Sequence, residues 1–97
     1  MFLQMIEQRT GALDEMMKLE EEWRAATEGK RTIRRSVIAR DRDDQERFFV
    51  LAFFDDAEAA EANSKLPETA EFADKQMALL RGNPTFTNLD VVKEITY

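Results

Sequence analysis

The apolar positions of the chain fall into seven segments separated by polar, proline- or glycine-containing breaks. Residues 2 to 9 mix Phe2, Leu3, Met5 and Ile6 with Gln4 and Gln8, and predict a strand with apolar groups on both faces. Thr10-Gly11 breaks it. Thr10 is placed to cap the helix that follows, with Asp14 and Glu15 in a first turn where the helix dipole favours anions. From Leu13 the period lengthens. At about 100° per residue, Leu13, Met16, Met17, Leu19, Trp23 and Ala26 share one half of a helical wheel, opposite Asp14, Glu15, Lys18, Glu21, Glu22 and Glu28. Glu20 falls inside the apolar arc. It is expected to reach past its neighbours to water, because a carboxylate turned to the core is costly unless paired. Gly29 is placed to end the helix in a left-handed conformation.

Thr32 to Arg42 returns to a period of two, with Ile33, Arg35, Val37 and Ala39 on one side and Thr32, Arg34, Ser36 and Arg40 on the other. Ile38 is the exception. This predicts a half-exposed strand whose arginines suit a sheet edge. The polar run Asp41 to Gln45 reads as a hairpin connection. In Arg47 to Asp55 both alternating sets are apolar, as in a central strand covered on two faces. Asp55 or Asp56 then caps a helix over 57–63. Pro67, tolerated in a first turn, opens a second helical piece over 67–80, with Phe72, Leu79, Leu80 and Met77 as its inner face. Arg81-Gly82-Asn83-Pro84 is a stop, and Thr85 to Thr96 predicts a last strand.

Strand, helix, strand, strand, helix, strand is the order of an α+β, ferredoxin-like βαββαβ domain spanning 1–97, with a four-stranded antiparallel sheet. Its first and third strands are central, and these are the two that are apolar on both faces. In this fold the helices cover one face only. The third strand must then present either Phe49, Leu51 and Phe53 or Phe48, Val50, Ala52 and Phe54 on the other. Burying one such side chain gains roughly 1.5 to 3 kcal/mol. A homodimer joined through its sheet faces is therefore expected.

Composition narrows the chemistry. The chain has 97 residues, no cysteine and no histidine, and a net charge of −6. Disulfides and thiolate catalysis are excluded, and the commonest general base is missing. The negative charge disfavours nucleic-acid backbones as partners. No apolar run approaches the ~20 residues of a membrane span, and no secretory signal is visible, so a cytoplasmic protein with no membrane partner is expected. Asp41, Asp43, Asp44 and Glu46 lack the spacing of a calcium loop and read as a solvated hairpin tip, so no metal site is expected. Residues 30 to 47 carry seven basic and four acidic side chains. Without a glycine-rich phosphate loop, this stripe reads first as charge protecting an edge strand. Trp23, Phe72 and Phe86 either line a cavity between helices and sheet or make an ordinary core. Ser64 has no histidine to activate it, and no nucleophile stands out.

The stretch from Glu58 to Ala73, with its Ala62-Asn63-Ser64 and Pro67, resembles the second helix of the antibiotic biosynthesis monooxygenase-like group of dimeric α/β barrels. Trp23-Arg24 late in the first helix and Pro84-Thr85-Phe86 opening the last strand are similar as well. The resemblance implies a ferredoxin-like subunit, paired sheet to sheet. Among members of that group some are cofactor-free oxygenases on polycyclic aromatic substrates, others degrade haem, and many have no known activity. Asn63 matches the asparagine of catalytic members, but Pro67 stands near the place of their tryptophan. The haem-degrading branch depends on a histidine that this chain lacks. The reading that follows is a small homodimer that holds an apolar or aromatic ligand without a cofactor, with Trp23, Arg35, Asn63, Phe72 and Phe86 at the pocket. The alternative is a cofactor-independent monooxygenase acting on an aromatic polyketide-like substrate, in which Asn63, Trp23 and Arg35 bind substrate oxygens.

Overall fold

The computed structural model describes residues 1–97. Its elements are β1 (Phe2–Arg9), α1 (Leu13–Ala26), β2 (Ile33–Arg40), β3 (Arg47–Phe54), α2 (Ala57–Ser64), α3 (Pro67–Met77) and β4 (Thr85–Asp90). The strands form one antiparallel sheet in the order β2-β3-β1-β4, so β1 and β3 are central as their two-faced hydrophobicity requires. This is the ferredoxin-like α+β fold. Its second helical unit comes in two pieces. Asp56 caps α2, its Oδ1 accepting the Ala59 N–H at 2.7 Å, and Pro67 sits in the first turn of α3.

Register decides which side chains face the helices. On β3, Phe48, Ala52 and Phe54 are buried and share a face with Val50, while Phe49, Leu51 and Phe53 point to the opposite side. Opposite them in the ladders, Leu3, Met5, Val37 and Leu89 extend the same outer face. No helix covers it. Two arginines lie along it, Arg47 over the Phe49 ring at 4.8 Å and Arg35 over the Phe53 ring at 5.1 Å.

Several boundaries depart from the sequence pattern. The last strand ends at Asp90 rather than Thr96, because its partner runs out. Asp90 pairs with Phe2, and the Val91 N–H reaches the Met1 carbonyl, the last acceptor β1 can offer. Val92, Ile95 and Tyr97 are exposed beyond it. α3 ends at Met77, not Leu80, and Met77 is exposed. The two leucines are held elsewhere: Thr10 Oγ1 donates to the Leu79 carbonyl at 2.7 Å, and Leu80 bridges to Thr10. Thr10 is therefore not the N-cap of α1. That position is Ala12, whose N–H donates to Thr10 Oγ1 at 3.0 Å. α1 closes at Ala26 with Thr27 as C-cap, and Gly29, at φ +80°, lies in the turn beyond. On β2 a bulge between Ile33 and Arg35 puts Ile33 on the helix side, away from Arg35, Val37 and Ala39.

The hairpin tip is shaped by its own carboxylates. Asp41 accepts N–H groups from Asp43 and Asp44, and it pairs with Arg47 at 3.0 Å. The Asp43 N–H and then Arg47 hold its carboxyl below the usual carboxylate range. Arg9, at 2.8 Å, does the same for Asp44.

Candidate functional site

The helices lean on one another more than on the sheet. Trp23 of α1 packs on Phe72 of α3 at 6.1 Å between ring centroids, and its Nε1 donates to Thr69 Oγ1 at 2.9 Å. Lys30, in the turn beyond α1, meets Glu68 of α3 at 2.9 Å. Between this helical layer and the sheet lies a cavity of about 520 Å³ that reaches from Ser36 and Ile38 on β2 to Phe86 on β4. The closed core is correspondingly small. Only Met16, Phe48, Ala52 and Phe54 among the apolar residues are exposed by 5 % or less.

Trp23, Asn63, Phe72 and Phe86 all line this cavity. Asn63 is buried at the end of α2, where its Oδ1 accepts the Thr32 N–H at 3.3 Å. Thr32 Oγ1 donates to the Ala59 carbonyl, so α2 is stitched to the start of β2 at two points. Phe86 is 56 % exposed at the β4 edge, an open position that a ligand can reach. Arg35 borders the cavity along β2, but its register with Phe53 carries the side chain to the outer face. There it stacks on Phe53 and lies 4.0 Å from Glu94. Arg35 keeps the face of Val37 and Ala39, and the bulge before it carries Ile33 alone to the helix side.

Glu20 is half-buried on the lining rather than free in water, and it meets Arg24 at 3.4 Å. It is the one carboxylate on the cavity wall. Arg34 is committed to Asp55 at 2.6 Å, and that contact holds the Asp55 carboxyl below its ordinary range. Lys30 lowers Glu68 in the same way. The basic stripe is thus largely paired, as charge protecting an edge would be.

Sequence reasoning missed two cavity residues on β1. Gln4 and Gln8 face the helices beside Ile6, and all three line the cavity. Gln4 Nε2 donates to Asn88 Oδ1 at 3.2 Å. Gln8 is 4 % exposed, and its Oε1 has no hydrogen-bond partner. The signal available was their shared parity with Ile6 on a strand predicted to be central, which puts polar groups where a covered face wants apolar ones. Chemically the wall is largely aromatic and aliphatic, with a few carboxamides, the carboxylate Glu20 and the arginines Arg24, Arg31, Arg34 and Arg35. That is the composition of a site for a small, largely apolar molecule.

Solved structures described as antibiotic biosynthesis monooxygenases share this fold. One matches with a TM-score of 0.78 at 17 % identity, over 96 % of this chain and 100 % of its own. SnoaB, a cofactor-independent oxygenase from Streptomyces nogalater solved in an asparagine-to-alanine variant, matches with a TM-score of 0.79 at 16 % identity, over 99 % and 98 % of the two chains. Rv0793 from Mycobacterium tuberculosis matches with a TM-score of 0.77 at 13 % identity, over 99 % and 100 %. No family model matches the sequence, and no curated protein matches it. The fold resemblance agrees with the one carried by the Glu58 to Ala73 segment. No helix is long and apolar enough to cross a membrane.

Proposed function

We propose that this chain is a small, single-domain member of the antibiotic biosynthesis monooxygenase-like superfamily. In this reading it works in the cytoplasm as a sheet-to-sheet homodimer and holds a small aromatic ligand between helices and sheet. The observation that carries the ligand reading is the cavity of about 520 Å³, with Trp23, Phe72 and Phe86 on its wall. Such a volume lies within the roughly 300 to 1,000 Å³ typical of small-molecule sites. Arg35 has no part in the pocket chemistry here, since its guanidinium is on the other face. The chain has one tryptophan, so its indole N–H gives one NMR resonance. Titration with naphthalene is expected to shift that resonance in a saturable way. A resonance that stays in place up to the solubility of naphthalene would remove the ligand reading.

A second reading is supported by the likeness to a cofactor-independent oxygenase and by the buried Asn63 on the wall. In it, a hydroquinone-type substrate is deprotonated and passes electrons directly to dioxygen, with carboxamides stabilising the charge that develops on the substrate oxygen. Glu20 is the carboxylate placed to take the proton. Oxygen uptake with 1,4-naphthohydroquinone above the spontaneous rate is then expected, falling about tenfold or more in Asn63→Ala, as for loss of one donor to a developing charge. A rate that Asn63→Ala leaves intact would dismiss this chemistry.

A further inference from the structure

We propose that the cavity takes a linear amphiphile, an alkyl chain ending in a carboxylate, and that Arg31 holds the head group. This rests on the reading of the cavity as a ligand site and extends it from aromatic rings to a longer body. The wall is charged at one end only. Its ionised residues are Glu20 and Arg24 of α1, Arg31 in the turn that follows, and Arg34 and Arg35 of β2. The part built by β1, α3 and β4 carries none. From β2 to β4 the sheet is three strand spacings wide, roughly 14 Å at about 4.8 Å each. A fused pair of aromatic rings is shorter than that span, whereas an extended decanoate has about its length. A space with cations at one end and an uncharged remainder matches a ligand that is polar at one end.

Of these arginines, Arg31 is the one without a carboxylate. Arg24 meets Glu20 at 3.4 Å, Arg34 is held by Asp55 at 2.6 Å, and Arg35 lies 4.0 Å from Glu94 on the outer face. Arg31 is half-buried, and its Nη1 donates to the Arg24 carbonyl at 2.6 Å. That contact fixes the guanidinium against the last turn of α1, beside the start of β2, where both elements border the cavity. A guanidinium presents several N–H donors in a planar fork, and the donors left over match the oxygens of a carboxylate. Glu20 does not oppose the head group, because Arg24 balances its charge. A cation partly removed from water without a counter-charge is unfavourable, and the ligand supplies that counter-charge. The chain then runs past Phe72 and Ile6 toward Phe86. An alcohol of the same length forgoes the charge-assisted pair, and an ammonium is repelled.

The test compares decanoate, 1-decanol and decylammonium at neutral pH, each below the concentration at which it forms micelles. Dissociation constants are taken from the Trp23 indole resonance. On the unmodified protein, decanoate is expected to bind about tenfold more tightly than 1-decanol, and decylammonium more weakly than either. In Arg31→Gln the decanoate and 1-decanol constants converge. The 1-decanol constant itself stays at its unmodified value, which shows that the cavity is intact. Arg40→Gln removes the same charge from an exposed position of β2 outside the wall, and it keeps the preference for decanoate. Decanoate that binds no more tightly than 1-decanol on the unmodified protein would overturn the proposal. So would a preference that survives Arg31→Gln, or one that Arg40→Gln abolishes as fully. Saturable binding of naphthalene beside any of these results would leave the cavity a ligand site. Failure of decanoate, 1-decanol and naphthalene alike would strike the ligand reading and the proposal together.

Discussion

For the proposed sheet-to-sheet pair of copies, Leu51→Arg is expected to leave single chains of 11.3 kDa. Leu51 sits at the middle of β3 on the outer face, opposite Met5 of β1 on one side and Val37 of β2 on the other. Around it Leu3, Phe49, Phe53 and Leu89 complete an apolar surface that the helices leave bare. Each large side chain buried there by a second sheet contributes roughly 1.5 to 3 kcal/mol. A guanidinium at the centre loses that contribution and must also be desolvated, and in a two-fold interface it enters twice. Sedimentation of the unmodified protein should give twice the single-chain mass. Leu51→Arg should give the single-chain mass or an aggregating species. Lys18→Glu on the exposed side of α1 serves as the control that leaves the mass unchanged. An unmodified protein that sediments as one chain at working concentration would show that this face needs no cover.

The parts of this design that could be read from the sequence are those where one residue pattern has one physical solution. β1 and β3 are apolar on both sides, and only a central strand satisfies that, so the strand order followed. Asp56 and Pro67 each mark a helix start by their own backbone chemistry. The outward face of β3 could not be read, because Phe48 to Phe54 is apolar at both parities. It is settled by register against β1 and β2. The end of β4 is a property of its partner. Val91, Val92 and Ile95 keep a strand-like composition, but β1 has no backbone left to pair with them. Thr10 looks like a helix cap and does accept the Ala12 N–H, yet its hydroxyl proton goes to Leu79, almost seventy residues away in sequence. Trp23, Asn63, Phe72 and Phe86 stand on the cavity wall. Arg35 borders it but keeps the parity of Val37 and Ala39, so its guanidinium stacks on Phe53 at the outer face. Gln8 passed unnoticed, since a polar residue in a strand reads as a solvent position until the covering layer is known.

The same division between a closed core and an open cavity predicts an uneven response to truncation. Phe48→Ala is expected to destabilise the fold by about 3 to 5 kcal/mol. Phe48 is 1 % exposed, it stands on a central strand, and few other apolar residues are fully enclosed. Against a total stability of roughly 5 to 15 kcal/mol for a native domain, that loss is severe. At about 4 to 8 °C per kcal/mol for a chain of this size, the melting temperature should fall by at least about 12 °C. Phe86→Ala removes a ring of the same size from the same face of the sheet, but that ring is 56 % exposed at an edge strand. Its loss should cost only about 1 kcal/mol or less, because little apolar surface returns to water. Thermal unfolding of the two variants in parallel separates the roles. A large loss in Phe48→Ala beside a small one in Phe86→Ala means that Phe86 is free to serve a ligand, while Phe48 holds the wall against which that ligand rests. Equal losses would mean that Phe86 is structural and that the cavity closes around it in solution.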